Sequence, residues 1–252
     1  MGCLDGRVAV VTGAAQGIGA TYARALAAEG AAVVATDILD AGTTAETITK
    51  MGGRSLAIET DVSDADSVAR MVDASIQTFG RIDVLVNNAA IFASLALKPF
   101  DDIPEAEWDA VMSVNVKGLF LCSKAVVPTM RDIGGGKIIN ISSGTVVNGA
   151  ALMLHYVTSK AAVLGFTRSL ARELGTHNIC VNSLSPGLTT SEGVEANPAF
   201  VKGVRTAIAE QRCLAREQLP EDLIGSLIYL ASSASDFMTG QNMLVDGGHY
   251  MY

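Results

Sequence analysis

A serine, a tyrosine and a lysine between positions 141 and 160 suit proton transfer at a carbon–oxygen bond. Tyr156 and Lys160 are four residues apart, so a helix that begins near Tyr156 places both side chains on one face. A free phenol has a pKa of about 10, and a neighbouring ammonium lowers that pKa by stabilising the phenolate. With the hydroxyl of Ser143 aimed at the same point, the three groups predict acid–base chemistry at a carbinol oxygen. The alternative is that Tyr-x-x-x-Lys is a chance pattern on a helix and that Ser143 is only a cap.

The first residues of the chain have the pattern of a phosphate-binding turn. The apolar run Val8–Thr12 predicts a strand buried on both faces, and a glycine-rich segment, residues 13–19, follows it. Its three glycines permit a tight turn, a close backbone approach and close packing of the next helix on the strand. The start of that helix then offers N–H groups to a pyrophosphate. The spacing differs from Gly-x-Gly-x-x-Gly, so a purely structural turn is the alternative.

Asp37 follows the second predicted strand, residues 32–36. An acid about 20 residues beyond the glycines can accept hydrogen bonds from both hydroxyls of an adenosine ribose. It would repel a 2′-phosphate by up to about 4 kcal/mol at contact, with an effective dielectric near 20. The position therefore favours NAD over NADP, although a helix cap or a solvated acid is also possible.

Further polar residues follow other predicted strands. Asp61 is interpreted either as an acceptor for the adenine amino group or as a loop acid before a helix capped by Ser63. Asn88, in an Asn-Asn-Ala-Ala segment, suits a turn that locks neighbouring strands together, or an ordinary turn. Asn115 lies inside a helical region predicted from Pro104 to about residue 131, where asparagine is not preferred.

Strands and helices alternate along the chain, which predicts a single α/β domain with a doubly wound parallel sheet of Rossmann type. Ligands of such sheets bind at the carboxyl ends of the strands. The polar positions above all follow strands, so they are expected at one edge. Residues 188–198 lack a clear period and a helix is predicted at 199–211; residues 188–215 are predicted to form a mobile substrate lid.

Composition limits the classes of partner. Net charge is −8 and the pI is about 4.9, which disfavours a nucleic-acid partner. The four cysteines and three histidines lack metal-ligand spacing, so no metal is expected. No signal segment is evident and no apolar run approaches 18 residues, so a cytoplasmic protein without a membrane partner is expected.

Together these motifs resemble the short-chain dehydrogenase/reductase family over nearly the whole chain. The resemblance rests on Thr12-Gly13-x3-Gly17-Ile18-Gly19, Asn87-Asn88-Ala89, Asn115, Ser143, Tyr156-x3-Lys160 and Pro186-Gly187. It implies a seven-stranded Rossmann sheet and usually a homotetramer. It also implies that Tyr156 is the acid–base group, that Ser143 positions the substrate oxygen, and that Lys160 holds the nicotinamide ribose while lowering the tyrosine pKa. Asn115 would help to hold a water in a proton relay.

The resemblance further implies a set of residues that bind NAD. They are Gly13, Gln16, Gly17, Ile18, Gly19, Asp37, Ile38, Asp61, Val62, Asn88, Ala89, Ala90, Tyr156, Lys160, Pro186, Gly187, Leu188, Thr189 and Ser191. Two positions depart from the family pattern. Ala90 stands where the family mostly has Gly, which is expected to tighten the floor beside the cofactor. Ser191 stands where Thr is usual, and little loss is expected because a hydroxyl remains.

The resulting prediction is an NAD-dependent oxidoreductase that transfers hydride between nicotinamide and a neutral, fairly hydrophobic secondary alcohol or ketone. The pocket is predicted to contain Ser143 and an apolar wall without an arginine clamp: Ile91, Phe92, Leu95, Met153, Leu154, Leu188 and Val194. One alternative is a 3-oxoacyl-thioester reductase that uses NAD(P)H. Another is a non-catalytic dinucleotide-binding protein, which would be indifferent to Tyr156→Phe.

Overall fold

Seven parallel strands form a single sheet in the computed structural model, which describes residues 2–251. The strands are β1 (Val8–Thr12), β2 (Ala32–Asp37), β3 (Ser55–Glu59), β4 (Val84–Asn87), β5 (Gly136–Ile141), β6 (Ile179–Pro186) and β7 (Asn242–Val245). Their order across the sheet is β3-β2-β1-β4-β5-β6-β7. The predicted seven-stranded, doubly wound sheet is confirmed.

Helices cover both faces of this sheet. In the described part of the chain the α-helices are α1 (Gly17–Ala28), α2 (Gly42–Lys50), α3 (Ala65–Phe79), α4 (Glu105–Met112), α5 (Leu119–Asp132), α6 (Thr145–Asn148), α7 (Leu154–Leu174), α8 (Glu192–Ala196), α9 (Lys202–Glu210) and α10 (Ile224–Ala231). Short 3-10 turns, such as Pro198–Phe200, connect several of them.

The central strands are buried on both faces because alternate residues enter two separate cores. In β2, Val33 packs in one core with side chains of α1 and α10, and Val34 packs in the other with side chains of α3 and α5. Each fully buried aliphatic side chain of this size contributes about 1.5–3 kcal/mol. Continuous apolar runs, as in β1 and β2, are therefore what this sheet requires.

The strand order reverses between β1 and β4, and side-chain hydrogen bonds join the ends of these two strands. The Thr12 hydroxyl oxygen accepts the backbone N–H groups of Asn88 and Ala89, each at 3.0 Å. The Asn88 amide donates to the carbonyl oxygens of Thr12 at 2.9 Å and Gly13 at 3.1 Å. The predicted turn that locks neighbouring strands is confirmed, and it opens the crevice at the switch in strand order.

The region predicted as one helix from 104 to 131 contains an unpredicted π-helix, Ser113–Gly118, between α4 and α5. The sequence has no unbroken apolar run near 18 residues, but a helix whose apolar residues are interrupted by polar ones can still be long and apolar enough for a membrane span. By length and composition the helix Glu105–Asp132 could cross a membrane, and 44% of its most apolar window is buried within the domain. Contacts of α5 with α3 and with the second core are what a core helix makes.

Two local predictions also differ from the structure. The helix after Asp61 begins at Ala65, and the side chain of Asp64, rather than Ser63, caps it by accepting the Asp66 N–H at 3.1 Å. The helix predicted at 199–211 is shorter, because Pro198 starts a 3-10 turn before α9.

We expect Gly19→Ala to destabilise the fold by about 1–3 kcal/mol. A Cβ at Gly19 would overlap the carbonyl oxygen of Gly13 and lie 2.6 Å from the Asn88 amide nitrogen. Gly165→Ala, on an exposed turn of α7 with nothing within 4 Å, is the matched control. It should be stabilising by about 0.5–1 kcal/mol, because alanine is the better helix former. Chemical denaturation of both variants checks this, and equal stabilities would contradict the close approach.

Candidate active site

One cavity of about 770 Å³ lies at the carboxyl ends of the strands. Every residue predicted to bind NAD lines it, and so do Ser143, Phe92 and Met153. Among the predicted catalytic residues Asn115 is the exception, since it lies behind the wall and is 2% exposed. The single-edge arrangement expected from the sequence is therefore what the fold produces.

The glycine-rich turn and the start of α1 have the features of an anion site. Gly13 has a φ of +68°, and a Cβ there would lie 2.8 Å from the Cα of Ala89. At the N terminus of α1, Gln16 makes no side-chain capping bond and the first turn has no acidic residue. The free N–H groups and the helix dipole together fit a pyrophosphate.

Asp37 joins the glycine-rich turn to the chain beyond β2. One carboxylate oxygen accepts the N–H of Ala15 at 3.0 Å, and the other accepts the N–H of Leu39 at 3.0 Å. Each oxygen retains acceptor capacity for a ribose hydroxyl. Asp61 also lines the cavity, but one of its oxygens accepts the N–H and hydroxyl of Ser63, at 2.8 and 2.7 Å. Asp61 is therefore a loop acid ahead of α3, and its role as an acceptor for the adenine amino group stays a prediction.

Ser143, Tyr156 and Lys160 meet where β5 ends and α7 begins. Ser143 lies just after β5, and its oxygen accepts the hydroxyl of Thr145 at 2.9 Å. Tyr156 is in the first turn of α7, and the Lys160 ammonium is 5.9 Å from the centre of its ring. The ammonium donates to the carbonyl oxygen of Ile141 at 2.7 Å, which fixes it beneath the cavity.

Burial, rather than charge, controls the two titrations. Desolvation raises the pKa of Tyr156 to about 12, and a hydrogen bond with Ser143 lowers it only in part. Desolvation also lowers the pKa of Lys160 to about 8. The prediction that Lys160 lowers the tyrosine pKa is not what this geometry gives. Both groups are nearly inaccessible, and in a low dielectric each is driven towards its neutral form.

Asn115 lies in the π-helix and ties two parts of the site together. Its oxygen accepts the N–H of Ile91 at 2.8 Å, while its amide donates to the Ile91 carbonyl at 3.2 Å and the Ser159 hydroxyl at 3.0 Å. A small cavity of about 10 Å³ lies between Asn115, Ile141 and Lys160. That volume is near the smallest that holds one water. π-Helical turns are frequent at functional sites, and this one supplies the side chain that orients the loop after β4.

Comparison with known proteins agrees with this geometry. Residues 13–250 match the family model described as enoyl-(acyl carrier protein) reductase. The short-chain reductase protein NovJ of Streptomyces niveus is 40% identical over 96% of this chain and 93% of that protein. The chain belongs to the short-chain dehydrogenase/reductase family. It is thus an oxidoreductase of a family that uses nicotinamide cofactors on small-molecule alcohols.

Two further relatives place the short-chain dehydrogenase/reductase fold over the whole domain. The 2-dehydro-3-deoxy-D-gluconate 5-dehydrogenase of Escherichia coli (strain K12) is 38% identical, over 97% of this chain and 96% of that protein. The crystal structure of a candidate short-chain alcohol dehydrogenase from Sinorhizobium meliloti 1021 has a TM-score of 0.91 at 36% identity. It covers 98% of this chain, and this chain covers 97% of it.

The substrate side of the cavity is largely apolar. Two of the residues predicted for its wall do not line it. Phe92 packs between Tyr156 and Phe200, with ring centres 4.8 and 5.4 Å away. Leu95 is buried in the cluster behind the wall, and Leu154 is 46% exposed on the outside of α7. Tyr156 occupies the inward face of the same turn, so its neighbour Leu154 faces out.

Several lining residues were missed by sequence reasoning. They include Thr145, Asn148, Phe200, Ile208, Gln211, His249 and Tyr250. Most come from segments without a clear period, so no spacing marks them. One sequence feature could have indicated an ordered turn at this end of the cavity. It is the aromatic pair His249-Tyr250 directly after the double glycine that follows β7.

We expect burial of Lys160 to make the fold more stable as pH rises from about 8 to 10.5. In this range the unfolded chain binds the lysine proton and the folded chain does not, because the folded pKa is about 8 against 10.5. The gain is about 3 kcal/mol, and Lys160→Met should remove it. Denaturation from pH 7 to 10.5 measures it, with Lys50→Met, 77% exposed, as the control. If the stability of the wild type and of Lys160→Met changed equally with pH, the proposed effect of Lys160 burial would be contradicted.

Proposed function

We propose that this protein is an NAD-dependent dehydrogenase or ketoreductase for neutral, fairly hydrophobic secondary alcohols and ketones. The observation that carries the proposal is one cavity lined both by the uncapped glycine turn and by Ser143, Tyr156 and Lys160. Neither half alone implies hydride transfer. Together they provide a dinucleotide site beside an acid–base group.

In this proposal the nicotinamide ring, when bound, accepts or supplies the hydride. The residues of this chain handle the oxygen and its proton. Ser143 holds the substrate oxygen, and Tyr156, protonated at neutral pH, donates its proton to that oxygen in ketone reduction. In the reverse direction Tyr156 first loses its proton, and the resulting phenolate takes the proton of the alcohol.

Lys160 suits the return of that proton to solvent. Its pKa of about 8 lies near neutral pH, where a group exchanges protons in both directions efficiently. The small cavity beside Asn115 offers room for a water next to the ammonium. We therefore propose Asn115, Lys160 and this water position as the proton relay, with Asn115 also holding the loop at Ile91.

Asp37 supports NAD as the cofactor. Its carboxylate is held in place by two backbone N–H groups and lines the cavity at the end of β2. The negative charge suits ribose hydroxyls and opposes a 2′-phosphate. No arginine or second lysine lines the cavity among the described residues, so nothing there would compensate that repulsion.

The same lack of a cationic side chain supports a neutral substrate. Beyond Tyr156 the wall is built mainly from Ile91, Phe92, Met153, Val194 and Phe200. A carboxylate enclosed by such side chains would be desolvated without a partner, which is costly. The acidic sugar in the name of the Escherichia coli relative is therefore not the substrate class that we propose here.

A 3-oxoacyl-thioester reductase is the second candidate, and the description of the matching family model shares with it only an acyl thioester as the substrate class. Such enzymes usually prefer NADPH, which Asp37 opposes. We also propose that residues 188–215 act as a lid, that the protein is cytoplasmic, and that it assembles as a homotetramer. The half-exposed Phe120 and a groove between α5 and α7 offer an apolar surface for that assembly.

A panel of alcohols tests the proposed function. With NAD, kcat/KM for neutral secondary alcohols such as 1-phenylethanol should exceed that for charged hydroxy acids of similar size. Tyr156→Phe should lower kcat by about 10²–10⁴ while NADH binding, read by fluorescence, persists. The control Tyr229→Phe, on α10 outside the cavity, should behave as wild type. Turnover confined to charged hydroxy acids or acyl thioesters would contradict the proposal.

Asp37→Asn tests the cofactor preference, because it removes the charge and keeps the shape. We expect the ratio of kcat/KM for NAD over NADP to fall by about 10–100-fold, equivalent to about 1.4–2.8 kcal/mol. Asp40→Asn is the control, since Asp40 is exposed on the same loop and accepts the Gly42 N–H instead of lining the cavity. A wild type that prefers NADP would overturn the assignment to NAD.

A further inference from the structure

Residues 246–250, which follow β7, are folded into a compact turn by one carboxylate. Asp246 is 3% exposed and accepts the backbone N–H groups of Gly248, His249 and Tyr250, at 2.9, 3.1 and 3.0 Å. Gly247 and Gly248 have φ values of +73° and +76°, which other residues rarely adopt. The Asp246 carboxylate and the two glycines therefore give this turn a defined shape.

This turn bridges the predicted lid and the acid–base side of the cavity. On the lid side, the carbonyl oxygens of Gly248 and Gly247 accept the N–H groups of Cys213 at 3.4 Å and Leu214 at 2.9 Å. On the other side, the amide of Asn148, at the end of α6, donates to the hydroxyl of Tyr250. The turn thus closes the cavity between two segments that are far apart in the chain.

The ring of Tyr250 lies beside the reacting groups. A Cβ built at Gly144, the residue after Ser143, would be 3.7 Å from Cδ2 of Tyr250. The ring of His249 stacks on that of Tyr250, with centres 4.0 Å apart and planes 24° apart. Both residues line the cavity, and neither has a part in the proton transfer described above.

The carboxylate of Asp246 acts on both rings of this pair, and it is occupied by backbone N–H groups. Burial lowers the pKa of His249, so the ring is neutral at neutral pH. Burial likewise raises the pKa of Tyr250, which keeps its hydroxyl protonated. The stacked pair therefore presents an uncharged aromatic wall to the substrate.

We infer that His249 and Tyr250 determine specificity by limiting the size of the substituent next to the reacting carbon. The inference rests on the proposed function, because it assumes that the substrate oxygen is held at Ser143. The wall is built from flat rings without charge, and flat neutral groups pack well against it. The substrate class it favours is a neutral secondary alcohol or ketone whose ring is small enough to fit beside Tyr250.

Two alcohols that differ by one fused ring test this wall. Kd by calorimetry and kcat/KM with NAD are measured for 1-phenylethanol and 1-(2-naphthyl)ethanol. Tyr250→Ala should bind the naphthyl compound more tightly, and turn it over with a higher kcat/KM, relative to the phenyl compound. Each ratio of the two compounds should change by about tenfold or more from its wild-type value, equivalent to about 1.4 kcal/mol. His249→Ala should shift them in the same direction by less, because the Tyr250 ring loses only its support.

Three further variants separate the wall from the hydrogen bond and from general loss of structure. Tyr250→Phe keeps the ring and should leave the preference within about threefold, and Asn148→Ala should give a small shift by freeing that ring. Tyr229→Ala, on the exposed side of α10, should leave the preference unchanged. Melting temperatures within a few degrees of wild type establish that each variant is folded.

The outcomes separate failure of the wall from failure of the proposed function. If the alcohols bind and Tyr250→Ala shifts the Kd ratio without turnover in any variant, the wall stands and the proposed function fails. If wild type turns both alcohols over and the ratio is unmoved in Tyr250→Ala, the wall is overturned and the function stands. An equal shift in Tyr229→Ala, or no binding of either alcohol to Tyr250→Ala, also overturns the wall.

Discussion

The close approach of three chain segments at the ends of β1 and β4 is the constraint on which the rest of the site depends. Gly13, Gly19 and Asn88 meet there with no room for another carbon atom. Because the segments touch, the first turn of α1 is aimed across the end of the sheet rather than away from it. The hydrogen bonds of Thr12 to the loop after β4 then hold that loop as the opposite wall. The crevice therefore results from the way in which these residues pack against one another.

Within that crevice, burial of Lys160 favours proton transfer but lowers the stability of the fold. Lys160 is 3% exposed and has no acidic partner among the residues that the structure describes, whereas most buried ammonium groups are paired. A carbonyl oxygen is its hydrogen-bond acceptor, which leaves the ammonium free to lose its proton. A carboxylate in that position would stabilise the charged form and take the lysine out of the range in which it can relay protons. The two large cores on either side of the sheet offset this local cost.

How far the sequence predicts this protein depends on whether a feature is local. The bounds of β1, and the placement of Tyr156 and Lys160 on one face of α7, follow from residue type and spacing, and they agree with the structure. The π-helix around Asn115 could not be predicted, since the apolar period continues through it and only the asparagine is unusual. The pKa of Tyr156 was expected to fall and rises instead, because desolvation depends on everything packed around the ring.

The sequence did not predict the wall formed by Tyr250, because that wall also depends on contacts between segments distant in the chain. It shows which parts of this fold determine substrate specificity. Tyr156 and Lys160 lie on one regular helix, and their spacing can be read from the chain. The groups that shape the substrate end of the cavity come from a loop after β4, from the region of α8 and α9, and from the turn after β7. These segments contact one another only after folding, through bonds such as that of Asn197 to the carbonyl oxygens of Ala93 and Leu95. Chemistry is therefore encoded by local periodicity, whereas the choice of substrate is encoded by contacts between irregular segments that no period links.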